Sequence, residues 1–184
     1  MRRFFISIIE VLEVALVAVG AVFLIRNFLV QPFLVSGQSM VPNFYDGDYL
    51  LVDELTYRFR IPERGEVAVF RYPNDESTYF IKRIVGLPGE RIEIRNGKIM
   101  IANTTNPDGF LLNERYLTDG LVTTVNGDSK FELGPNEYFV MGDNRSYSFD
   151  SRSWGPLGSR EIIGLVRFRL WPLANFRAFA APEY

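Results

Sequence analysis

From Val11 to Val30 run twenty residues whose only charges are Glu13 near one end and Arg26 near the other, and Val14 to Ile25 carries none. At about 1.5 Å per helical residue, a run of this length spans the roughly 30 Å hydrocarbon core of a bilayer. The twelve uncharged residues alone would also fit a buried helix of a soluble core, but no polar face recurs at a 3.6-residue period. A cleaved leader, with Ala18-Val19-Gly20 as its processing site, would carry glutamates in its apolar region and leave Val22-Phe23-Leu24-Ile25 beyond the cut. A membrane anchor is the expectation. Glu10 and Glu13 share a helix face and can sit at headgroup level beside Arg2 and Arg3, while Arg26 snorkels outward at the other end. Arg2 and Arg3 precede the span, whereas between Arg26 and Arg58 the charged residues are Asp46, Asp48, Asp53 and Glu54. The positive-inside rule then puts the N-terminus in the cytoplasm and the rest outside. Gln31-Pro32 ends the helix, because the residue before proline is pushed out of the α region.

With 184 residues and 47% hydrophobic content, the chain holds one compact core plus one membrane segment. The expected division is 1–32 for the cytoplasmic N-terminus and anchor, and 33–184 for an extracytoplasmic domain. A net charge of −2 leaves no basic footprint for a nucleic-acid partner. Beyond Pro32, Tyr49–Val52, Glu66–Tyr72, Tyr79–Val85, Phe131–Leu133, Glu137–Met141 and Glu161–Leu170 are rich in β-branched and aromatic residues. Turn residues punctuate them. Arg91–Arg95, Asn96-Gly97 and Lys98–Ile101 predict a hairpin with a type I′ turn. The pattern weakens over about 102–130, which is expected to be a small inserted lobe. The fold class is mainly β, an antiparallel sheet domain preceded by one transmembrane α-helix.

The chain contains no histidine and no cysteine. That removes the Ser-His-Asp triad, the Cys-His dyad and most zinc hydrolase sites. A nucleophilic serine would need another base, and a deprotonated lysine is the known substitute. Only Lys82, Lys98 and Lys130 occur, and Lys82 alone lies in an apolar run, Tyr79 to Val85. In a strand Phe80, Lys82 and Ile84 share one face and Arg83 points away. Burial can lower a lysine from about 10.4 by about 3 to 5 pKa units, which would let it act as a base. Taken alone, Lys82 also reads as an edge-strand lysine that keeps its charge in water. Ser39, between Gly37 and Pro42, reads equally as a turn serine.

Three blocks decide between these readings: Ser39-Met40-Val41-Pro42, Lys82-Arg83-Ile84-Val85-Gly86-Leu87-Pro88-Gly89-Glu90, and Gly142-Asp143-Asn144-Arg145-Ser146-Tyr147-Ser148-Phe149-Asp150-Ser151-Arg152. In this order, and behind an anchor, they resemble the signature blocks of type I signal peptidases, with the resemblance running from Arg2 to Pro172. It implies two packed antiparallel sheets, Ser39 as acylating nucleophile and Lys82 as the base that later activates water. It also implies that Ser148 hydrogen-bonds the lysine amine and that Asp150 and Arg152 pair to hold the loop. The Ser39 N–H is the first candidate for an oxyanion donor. Many members add a serine hydroxyl two positions earlier; here Gly37 stands there, as in some other members. Phe33, Val35, Met40, Phe80 and Ile81 match positions lining shallow apolar pockets that select small side chains one and three positions before the cut.

The leading expectation is a membrane-bound serine endopeptidase that removes signal peptides from exported preproteins after small-x-small sites, without metal or cofactor. Its expected partners are preprotein signal peptides, the lipid bilayer and neighbouring export machinery, with no nucleic acid; its expected place is the plasma membrane. A self-cleaving repressor-type peptidase uses a similar serine-methionine block and a lysine, but the anchor and the absence of a helix-turn-helix pattern speak against it. A membrane-tethered β-rich binding module, and a processing peptidase dedicated to one exported substrate, are the alternatives.

Overall fold

The computed structural model describes residues 10–21, 30–118, 120–125 and 129–180. Residues 10–21 form a helix, α1, whose Val11, Leu12, Val14, Leu16, Val17 and Val19 are all exposed. Among the described residues no helix is long and apolar enough to cross a membrane. Residues 22–29 of the expected span lie outside the described residues.

The strands are β1 (Val30–Leu34), β2 (Tyr49–Asp53), β3 (Val67–Tyr72), β4 (Asp75–Gly86), β5 (Arg91–Arg95), β6 (Lys98–Ala102), β7 (Phe110–Leu111), β8 (Lys130–Glu132), β9 (Glu137–Met141), β10 (Leu157–Gly158), β11 (Ile162–Trp171) and β12 (Arg177–Ala178). Two short helices, α2 (Thr56–Phe59) and α3 (Ser151–Trp154), join them. The larger sheet runs β1-β2-β11-β3-β4-β9-β10, with β12 on β11; the smaller runs β7-β6-β5-β8. Every pairing is antiparallel. Val85, Phe139 and Met141 from the larger sheet pack with Ile92, Ile94, Ile99 and Ile101 from the smaller, so one apolar layer joins the two.

Three boundaries differ from the sequence reading. The larger sheet begins at Val30, so the expected division at 32/33 falls inside a strand: Val30, Gln31 and Pro32 pair with Asp53, Val52 and Leu51. The proline restriction that stops a helix also favours extended backbone, and β1 is an edge strand, where a missing N–H is tolerated. The β4 strand starts at Asp75 rather than Tyr79, because Tyr72 pairs with Asp75 across the tight Pro73-Asn74 turn. The second sheet takes in β5 and β6 as well as β7 and β8, so this lobe is larger than 102–130. The β5–β6 hairpin has positive φ at Asn96 (51°) and Gly97 (75°), as a type I′ turn requires.

Candidate active site

Ser39 is presented by a tight turn closed by Asn43 N–H and Phe44 N–H on the Met40 carbonyl, at 3.0 and 2.9 Å. Met40 and Phe44 are buried with Val35, Leu50 and Val69, so the turn is pinned into the core from below while Ser39 stays half-exposed above. Lys82 reaches it from β4. Its side chain is 4% exposed, lies 5.1 Å from the Phe80 ring centroid, and donates from Nζ to Ser39 Oγ at 2.8 Å and to the Ile81 carbonyl at 3.0 Å. Burial pulls the amine down to a pKa of about 8, against the opposing pull of the Asp150 and Asp143 carboxylates. The alternation expected around Lys82 is therefore present, and the lysine is not the solvated edge residue.

The loop after β9 closes the site. Asn144 donates its N–H to the Ser39 carbonyl at 3.0 Å and its side-chain amide to the Gln38 carbonyl at 3.1 Å. Gly142 sits so close that a Cβ there would lie 2.2 Å from Ser148 Oγ and 2.4 Å from the Ser39 carbonyl oxygen. Asp150 accepts from Gly142 N–H at 3.0 Å and from Arg152 Nε and Nη2, both at 2.8 Å. Burial would raise the Asp150 carboxyl, but Arg152 and the Gly142 N–H outweigh it and hold it below its usual range. On the far side of β4, Arg83 pairs with the buried Asp143 through Nε at 2.8 Å and Nη2 at 2.6 Å. Arg145, also buried, pairs with Glu114 and donates to Thr123 Oγ1 at 2.6 Å.

Above Ser39 and Lys82 opens a cleft of about 330 Å³. Phe33, Val35, Phe80 and Ile81, four of the five positions expected to line substrate pockets, lie along it, as does Gly37. Met40 does not. It is 1% exposed and belongs to the core under the turn, because the side chain after Ser39 points inward. Ser148 also departs from expectation: its hydroxyl sits with the Asp150 carboxylate, which it helps to hold low, and Lys82 gives its second hydrogen bond to the Ile81 carbonyl. The Gly37 N–H is taken by Asp46 Oδ1 at 2.7 Å, while the Ser39 N–H has no acceptor among the described residues. Tyr79, Tyr147 and Phe149 also line the cleft, all exposed. The sequence reading passed over these; two large aromatics flanking Ser148 in a polar loop were the available signal.

A sequence model of the family described as "Signal peptidase, peptidase S26" matches residues 8–171. The chain belongs to the signal peptidase family. It is 32% identical over 179 residues to signal peptidase I P of Bacillus subtilis subsp. natto, covering 93% of each chain. To signal peptidase IB of Staphylococcus aureus (strain Mu50) it is 30% identical over 176 residues, covering 91% of each. A crystal structure of a signal peptidase I from Enterococcus faecalis V583 matches at 27% identity and a TM-score of 0.47, over 58% of this chain and 97% of that one. Signal peptidases of this family are serine peptidases that act on the signal peptides of exported preproteins, and this chain is a serine peptidase of that type.

Proposed function

We propose that this signal peptidase cuts preproteins with a Ser39–Lys82 dyad, after small-x-small sites, while tethered to the plasma membrane. The observation that carries the reading is the 2.8 Å contact between Lys82 Nζ and Ser39 Oγ at the floor of an apolar cleft. With its amine held near 8, Lys82 is neutral in about a tenth of molecules at pH 7, several hundredfold more than an ordinary lysine. Neutral Lys82 takes the Ser39 proton as Oγ attacks the scissile carbonyl. The Ser39 N–H stabilises the oxyanion, with Gly37 giving the substrate backbone room to approach. The resulting ammonium protonates the leaving amine, and the neutral lysine then deprotonates the water that releases the acyl group. Ser148, beside Gly142 and the Asp150 carboxylate, is the group that would orient the ammonium form; Asp150 and Arg152 hold its loop.

The substrate lies extended. The β4 strand pairs with β9 only from Arg83 onward, which leaves the Tyr79–Lys82 stretch with one unpaired edge along the cleft. Val35, Phe80 and Ile81 fill the space a large side chain would need, so selection is by volume. The anchor is supported by the exposed Val11, Leu12, Val14, Leu16, Val17 and Val19 of α1, and membrane contact by a cross-strand row, Leu34–Tyr49–Trp171, whose members are all exposed. This arrangement keeps the N-terminus inside and the cleft at the outer face, near the export machinery.

The test is cleavage of a model preprotein in detergent or lipid by the intact chain and by Ser39→Ala and Lys82→Arg. Cleavage by the wild type alone, after a small-x-small site, supports the dyad. Equal cleavage by all three sinks it, and no cleavage by any points to a dedicated substrate or a binding role.

A further inference from the structure

The nucleophile turn and the lysine strand are separate segments, and the Lys82–Ser39 contact is not their only link. A second connection lies behind the dyad. The side-chain amide of Asn43, four residues after Ser39, donates to Asp143 Oδ2 at 2.9 Å and to the Tyr116 carbonyl at 2.8 Å. Asp143 is fully buried and receives the two-pronged Arg83 guanidinium, and Arg83 follows Lys82 in β4. The ring therefore closes through Ser39, Asn43, Asp143, Arg83 and Lys82. Asn43 is held along its backbone as well: its N–H closes the turn on Met40, and its carbonyl accepts from Arg169, which is itself paired with Asp48 at 2.9 Å.

We infer that Asn43 is a positioning residue, whose side-chain amide fixes the separation of Ser39 Oγ and Lys82 Nζ through Asp143 and Arg83. The inference rests on the Ser-Lys reading above. The residue type is part of the argument. A primary amide supplies two N–H donors from one nitrogen, and both are spent, one on the carboxylate and one on the carbonyl. A serine in its place would keep one donor. An aspartate would keep none and would set a second carboxylate against Asp143. A residue needed only for the turn would require no side-chain amide, since the turn closes through backbone groups.

The test measures preprotein cleavage by the intact chain in detergent, for wild type, Asn43→Ala, Asn43→Ser, Asn43→Asp and Ser39→Ala. Rates are scaled to the folded fraction from thermal melts. A misplacement of about 1 Å costs about a hundredfold in rate, so Asn43→Ala is expected to lower kcat by about ten- to a hundredfold. KM should stay within about twofold, because Asn43 does not line the cleft. Asn43→Ser should recover part of the loss. Asn43→Asp should move the acid limb of the kcat profile to higher pH, since the other charges facing Lys82, Asp150 with Arg152 and Asp143 with Arg83, are unchanged. A scaled kcat within twofold of wild type for Asn43→Ala, or a change confined to KM, overturns the positioning role. If Ser39→Ala also cuts at the wild-type rate, the Ser-Lys reading fails and this inference with it. An inactive Ser39→Ala beside fully active Asn43 variants overturns the inference alone.

Discussion

Replacing Lys82 by methionine removes a buried amine while keeping an unbranched chain of similar size, and its effect on stability has a sign that depends on pH. The amine has a pKa of about 8 in the folded chain against 10.5 as a free side chain. At about 1.4 kcal/mol per unit, that drop corresponds to about 3 kcal/mol. Below pH 8 the amine is protonated in both states, and the folded state bears the full cost of burying the charge. Between 8 and 10.5 the folded amine is neutral while the unfolded one still holds its proton. The unfolded state then binds more protons, so stability rises with pH. Above 10.5 the effect is complete. The loss of the contact to Ser39 adds an offset that does not vary with pH to the same degree. Only the slope of wild type minus Lys82→Met tests the reasoning, and taking that difference cancels the other titrating groups. Denaturant unfolding in detergent, followed by the fluorescence of Trp154 and Trp171, should show the wild type gaining about 3 kcal/mol on the variant between pH 7 and 10.5. A flat difference across that range would refute a desolvated Lys82.

Gly142→Ala should cost at least about a hundredfold in cleavage, because the new methyl would meet the Ser39 carbonyl oxygen at 2.4 Å and force the turn and loop apart; steady-state kinetics on a preprotein reads this. Met40→Ala should lower stability by about 2 to 5 kcal/mol through cavity formation, while the ranking of substrates by side-chain size at the cut site stays as in the wild type, since Met40 lies in the core. Arg152→Ala leaves Asp150 buried without its guanidinium, and urea unfolding at neutral pH should show a loss of about 3 to 5 kcal/mol.

What the sequence made legible were features written in neighbouring residues. Alternation placed Lys82 on the Phe80 face, and Asn96-Gly97 fixed a hairpin whose positive φ values no distant contact was needed to specify. The Lys82–Ser39 contact could be anticipated because the absence of histidine and cysteine left few bases, and because three blocks resembled one family. Features decided by distant partners were not legible. Arg83 and Arg145 are buried only because Asp143 and Glu114 arrive from elsewhere in the chain. Met40 was assigned to the cleft by its position next to Ser39, but one residue along a turn reverses the direction of a side chain, and the core took it. The bond expected between Ser148 and Lys82 gave way to one from the amine to the Ile81 carbonyl of its own strand and one from Ser148 to Asp150, a choice between partners that no local pattern encodes. Pro32 was expected to end a helix; it lies in strand β1 instead, and its place on a sheet edge followed from β2 lying beside it.

The most direct measurement of the account is the pH dependence of kcat/KM for preprotein cleavage by the intact chain, taken from pH 6 to 10 under conditions where the first bond cleavage limits the rate. A lysine base held near 8 gives a rate that climbs about tenfold per unit at low pH, bends through a single ionisation near pH 8 and then levels off. A rate that is level across the whole range, or that bends in the carboxylate range, contradicts a neutral Lys82 as the base for Ser39.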